Sequence, residues 1–196
     1  MIFKYEITDI QHPSYPNLCR IRALRDIPRF NVKEGDLGGY IVHVGNLRHE
    51  GDCWIGGDAQ VTAVAIVSGD AHVYGEAMVF GAAQVFGHAQ VFGNAAVFSY
   101  AHIFGNASIF DKAHVSGDAR VYGDALVYDH SYLVSDVRVF KNMKISSDPQ
   151  IKSQCQIYYD HADGVTAFFD FHGNLIVNGL TPETEYHETM ARLKLS

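Results

Sequence analysis

A period of six governs this chain. From Ile55 to Ile157 an aliphatic residue returns at every sixth position, 18 times without a slip: Ile55, Val61, Val67, Val73 and so on to Ile145, Ile151 and Ile157. Two positions before each stands a small residue. It is alanine without interruption from Ala59 to Ala125, and then Ser131, Val137, Met143, Pro149 and Cys155. Many hexads begin with Gly-Asp or Gly-Asn, as at Gly69-Asp70, Gly93-Asn94, Gly105-Asn106, Gly117-Asp118 and Gly123-Asp124. Side chains alternate along a strand, so the Ala and the Val of A-x-V share one face. A β-branched residue suits a packed pleat, and alanine suits a crowded position near a corner. Gly with Asp or Asn supplies the backbone angles of a turn. Such a chain winds into a triangular coil of three hexads, 18 residues per turn. Stacked at the inter-strand spacing of ~4.8 Å, about six coils give a prism on the order of 30 Å long. The expected fold is all-β: a parallel β-helix of hexapeptide repeats, with its inward Ala, Val and Ile as core.

Both ends of a solenoid must be covered. Residues 1–38 lack the repeat and form an expected N-terminal β cap. Within it Phe3-Lys4-Tyr5-Glu6-Ile7 and Leu18 to Leu24 alternate like two strands of a hairpin. The β-helix is expected over 39–158 and a C-terminal cap over 159–196. There Val165 to Asp170 and Asn174 to Val177 predict strands around His172-Gly173. Thr181-Pro182-Glu183 predicts a helix start, with Tyr186, Met190 and Leu193 on one face.

The formal net charge is −7, with 19% charged residues. That balance excludes a generic nucleic-acid binder, which is normally basic. No apolar run reaches the ~18 residues a membrane helix needs, and MIFKYEITDI does not resemble a secretory signal. Cys19, Cys53 and Cys155 fit no zinc spacing. Free thiols in a reducing bacterial cytoplasm are the simplest expectation.

The outward positions carry the functional signal. Residues 18 apart share a face, which aligns Phe86, Phe104, Tyr122, Phe140 and Tyr158 in one aromatic column and Tyr74, Phe92, Phe110 and Tyr128 in another. A third column mixes Thr62, Phe80, Phe98, Ser116, Val134 and Lys152. Two aromatic stripes exceed what a soluble monomer normally exposes, so at least one is expected to be buried, in a homo-oligomer (dimer or trimer) contact or under a terminal cap. His102, Arg120 and Arg138 align beside the first column, as an anion-binding stripe or as an ordinary solvated face. Of 11 histidines, His72, His102 and His114 fall on three different faces, and His88 and His130 fall in corners. No metal site is expected within one chain. No P-loop, GxSxG or HExxH is present.

Hexads of the form G-[DN]-A-x-V-[YF] resemble the hexapeptide-repeat, left-handed parallel β-helix acyltransferase superfamily. The segments Ile21 to Asp26, Gly35 to Ile41, Asn46-Leu47 and Gly51 to Ile55 resemble the lead-in of a subgroup common in phages and prophages, usually labelled as acyltransferases. The resemblance implies the left hand of the coil and a tendency to three-fold assembly. Enzymes of the superfamily typically extrude a loop that shapes the acyl-donor site, with a catalytic His beside it; here the hexads run without insertion. The expected function is therefore non-enzymatic binding, a rigid face presented to a host protein or a small signalling ligand, with no cofactor. The alternative is an O- or N-acyltransferase using acetyl-coenzyme A, with His72, His102 or His114 as general base.

Overall fold

The computed structural model describes residues 3–134, 136–141, 144–145, 150–152, 157–160, 165–169 and 175–178, with side chains as far as Ile145. Among them the chain is almost wholly β, with two 3-10 turns, Pro28–Phe30 and Val44–Asn46. It forms a parallel β-solenoid of about six turns. The regular strands are two-residue rungs that pair in parallel with the rung 18 positions on, as Val91 does with Val73 and Ile109.

Three sheets form the faces of the prism. The first runs through Gln60–Val61, Met78–Val79, Ala96–Val97, His114–Val115, Tyr132–Val134 and Gln150–Lys152. The second runs through Trp54–Ile55, His72–Val73, Gln90–Val91, Ser108–Ile109, Leu126–Val127 and Lys144–Ile145. The third runs through Ile66–Val67, Gln84–Val85, His102–Ile103, Arg120–Val121 and Arg138–Val139. The inward alanines from Ala59 to Ala125 and the second residue, Val or Ile, of each rung between are fully buried; Ala63, Ala82, Ala96 and Ile66 stand outside the inward slots. Ser131 takes the alanine slot one coil on. Its hydroxyl donates to the carbonyl of Tyr128 at 2.7 Å, so the polar group is satisfied inside the core.

The corners refine the expectation drawn from Gly-Asp and Gly-Asn. Only the first residue of the pair adopts positive φ; Asp70, Asn94 and Asn106 do not. The next residue instead joins a ladder along the corner, where Asn94 Nδ2 donates to Glu76 at 2.7 Å and Asn106 Nδ2 to Asp124 at 2.8 Å. Asp111 and Asp129 occupy the glycine slot itself, with φ of 57° and 58°, a conformation Asp tolerates better than most residues.

At the N-terminal end β1 (Tyr5–Gln11), β2 (Cys19–Ala23) and β3 (Leu37–Ile41) form an antiparallel meander. β3 then pairs in parallel with Gln60–Val61, so the meander extends the first face. Two glycines permit this junction. A Cβ on Gly38 would stand 2.5 Å from the Ile55 carbonyl, and one on Gly39 2.4 Å from that of Ala59. Tyr5, Ile21, Ala23, Ile27 and Leu47 cover the end of the core. Asn46 is buried with its amide satisfied: Oδ1 accepts from the amides of Val42 and His43, and Nδ2 donates to the carbonyls of Ala63 and Ala65.

At the other end the hexad series overshoots the solenoid. Ile157–Asp160 pairs antiparallel with Val165–Phe169, which pairs with Leu175–Asn178. Ile157 and Tyr158 therefore lie on a strand of a separate three-stranded sheet and not on a rung of the third face, where the period placed them. The expected pair of strands on either side of His172-Gly173 is present. The expected helix from Thr181 lies outside the described residues.

An inward side chain has no room to relax, because every neighbour belongs to the same stacked core. Ile103→Ala is expected to cost about 2–5 kcal/mol, while Gln84→Ala, exposed one rung away on the same face, stays within about 0.5 kcal/mol. Urea unfolding midpoints of the two variants check this.

Candidate functional surface

The coil register decides what the outward residues can do. Tyr74, Phe92, Phe110 and Tyr128 stack face to face on the second sheet, with centroids 4.8, 5.0 and 5.1 Å apart. Phe86, Phe104, Tyr122 and Phe140 do the same on the third, at 5.0, 4.9 and 5.5 Å. Phe80 and Phe98 stack on the first. All these rings are half-buried, and those inside the two longer columns are covered on both faces by their neighbours.

On the third face His102 pairs with Arg120, and Arg120 with Arg138. Both arginines are exposed, and among the described residues neither forms an ion pair. Asp118 and Asp136 stand exposed at the adjacent corner. The third face thus gathers an aromatic column and a cationic column side by side. Of the residues singled out from the sequence, Phe86, Phe104, Tyr122, Phe140, His102, Arg120 and Arg138 converge here.

The three candidate bases do not converge. His72 is on the second face, His102 on the third and His114 on the first. His72 is clamped between Phe30, centroid distance 4.1 Å, and Tyr74, 4.3 Å. Burial pushes it down to about 4, so it is neutral at pH 7 and too weak a base for proton abstraction there. His102 has no hydrogen-bond partner among the described residues. His114 Nδ1 lies 3.0 Å from the Lys112 carbonyl and must donate to it, which leaves the Nε2 lone pair outward; its ring stacks on Tyr132 at 4.7 Å. Among the described residues none of the three meets a carboxylate that would orient it as a base.

Two clusters escaped the sequence reading, because both arise where the cap meets the coil. The loop between β1 and β2 overhangs the first face and shapes an open cleft of 560 Å³ lined by His12, Arg20, Tyr40, Asp58, Gln60 and Glu76 among others. Arg20 lies 4.4 Å above the Tyr40 ring and pairs with Asp58. The Ser14 amide donates to His12 Nδ1 at 3.1 Å, and His12 Nε2 lies 3.3 Å from the Gln60 side-chain amide nitrogen. The second cluster joins Arg29 to Asp70 at 3.0 Å and to His88 Nδ1 at 3.1 Å on one corner. Among the described residues no group of three or more His, Cys, Asp or Glu is placed to hold a metal ion. No helix there is long and apolar enough to cross a membrane.

No family model matches the chain, and no curated protein matches it.

The clamp on His72 has a pH signature. Its folded value lies below the ordinary 6.5, so the unfolded chain binds the proton more tightly. The stability held back from protonation is complete above about pH 6.5 and is lost as pH falls toward about 4. His72→Phe, which keeps the ring stack, is expected to flatten the fall of the thermal midpoint across that window relative to the parent protein.

Proposed function

We propose that this protein is a non-enzymatic binding protein whose working surface is the third face. One observation carries the reading: on that face a column of half-exposed rings, Phe86 to Phe140, runs beside outward guanidiniums, Arg120 and Arg138, that no described residue pairs. Aromatic residues and arginine are the types that dominate protein interfaces, because they bring large contact area and forked hydrogen bonding together. The backbone beneath them is a stack of rungs with no inserted loop between Trp54 and Val134, so the surface is preorganised and loses little freedom on binding. The partner it suits is a protein with acidic groups set to meet the two arginines. A host protein met by a phage or prophage product is the setting that the resemblance of the lead-in segment suggests. The second aromatic column, Tyr74 to Tyr128, serves self-association into a homo-oligomer.

Support for the binding reading over acyl transfer comes from the dispersal of His72, His102 and His114 over three faces, none of them oriented by a carboxylate among the described residues. Calorimetric titration of coenzyme A and acetyl-coenzyme A into the purified protein tests the choice. No saturable heat at millimolar ligand is expected. Micromolar binding that is lost on replacing His72, His102 or His114 by Ala would instead place an acyl-donor site on this chain. For the assembly, sedimentation velocity at micromolar protein is expected to show a species larger than the 21.7 kDa monomer, reduced toward the monomer by Phe92→Asp with Phe110→Asp. A strictly monomeric parent protein overturns self-association.

A further inference from the structure

Under the N-terminal meander lies a pair of groups that the binding face does not use. Lys4 is 0% exposed and so is Cys53. The ammonium of Lys4 donates to Cys53 Sγ at 3.1 Å and to the Gly51 carbonyl at 3.3 Å; among the described residues it forms no ion pair, and Asp52 is the carboxylate that acts on it from a distance. Taking an ammonium out of water with only a thiol and a carbonyl for company is costly. A leucine or methionine would fill the same space without that cost. The Cys53 sulfur is otherwise ringed by backbone carbonyls, those of Arg48 at 3.4 Å and of Glu50 and Val67 at 3.7 Å. Neither Cys19 nor Cys53 is in a disulfide. The nucleophile in contact with this sulfur is therefore an amine.

We propose that Lys4 and Cys53 are a modification site, at which a peroxide-class oxidant joins the two side chains covalently and locks β1 onto the first turn of the solenoid. The chemistry balances with one equivalent of hydrogen peroxide. Cys53 Sγ attacks a peroxide oxygen: the S–O bond forms, the O–O bond breaks, and the departing hydroxide takes the thiol proton as water. The lone pair of neutral Lys4 Nζ then attacks Sγ. The S–N bond forms, the S–O bond breaks, and the hydroxyl leaves with an amine proton as a second water. Sulfur has lost two electrons and peroxide has gained them. Burial pulls Lys4 below its ordinary 10.5, which raises the share of neutral amine that the second step requires. Burial also pushes the Cys53 thiol up, which slows the first step and reserves the reaction for sustained oxidant. The pair lies close beneath the surface: Gly51, whose carbonyl caps Lys4 Nζ, is exposed, and Arg25 donates to the same carbonyl at 3.1 Å.

The test is peptide mapping by mass spectrometry of the intact chain before and after hydrogen peroxide. The expected product joins the Lys4 peptide to the Cys53 peptide with a mass about 2 Da below their sum, and it is reversed by dithiothreitol. A product about 16 Da heavier than that, in which a second peroxide has placed one oxygen between nitrogen and sulfur with loss of one water, also supports the pairing. The link is expected to persist in Cys19→Ser with Cys155→Ser, to vanish in Lys4→Met, and to raise the thermal midpoint of the parent protein by several degrees. Cys53 carrying added oxygen while the Lys4 peptide stays free overturns the proposal. So does a Cys53 that remains unmodified while other cysteines oxidise. The mapping of the parent protein decides the matter even if Lys4→Met does not fold.

Discussion

Every feature of the solenoid depends on one repeated hydrogen bond, in which an outward residue's amide donates to the carbonyl 17 positions on. The amide of Phe86 donates to Ile103, that of Phe104 to Val121 and that of Tyr122 to Val139, at 2.9, 3.0 and 2.9 Å. The bond sets residue i directly over residue i+18. The side chains of the regular region are therefore not free to choose neighbours: each packs on whatever the sequence holds one coil later. Alanine falls on alanine and valine on valine, so the interior fills with one small volume and one larger volume in alternation. Such a core leaves a substituted side chain little room to relax.

The same register has opposite consequences on the outside. Rings placed one over another gain from stacking, about 0.5–1.5 kcal/mol per pair beyond their buried area. Cations placed one over another gain nothing, since like charges directly opposite on neighbouring strands repel. The hexad pattern thus stabilises the Phe86 to Phe140 column, whereas Arg120 above Arg138 is tolerated because both reach solvent. An acid brought against the two arginines would turn that repulsion into attraction.

Where the register stops, the chemistry becomes less uniform. The meander of β1 to β3 brings residues from outside the repeat against the first coils, and there the structure places unlike groups together: Arg20 with Asp58 and Tyr40, Arg29 with Asp70 and His88, Lys4 with Cys53. A repeat with a single spacing cannot build such sites from its own residues, because it sets each face with copies of similar side chains. Irregular chain laid over a regular prism can.

The sequence by itself determined the coil, its core and its columns. The aliphatic period from Ile55, the alanine slot and the 18-residue stagger of Phe86, Phe104, Tyr122 and Phe140 are local and repetitive, and a period read from residues near one another survives folding intact. Tertiary structure alone decided the rest. The departure of Ile157 and Tyr158 into an antiparallel sheet, the clamp of Phe30 on His72, the cleft beneath the β1–β2 loop and the contact of Lys4 with Cys53 join residues whose separations follow no period. Phe30 lies 42 positions before His72, and Lys4 lies 49 before Cys53. No spacing rule predicts such pairs. They are set by how an aperiodic cap settles on the open end of a prism, under the demand that the last exposed coil be covered.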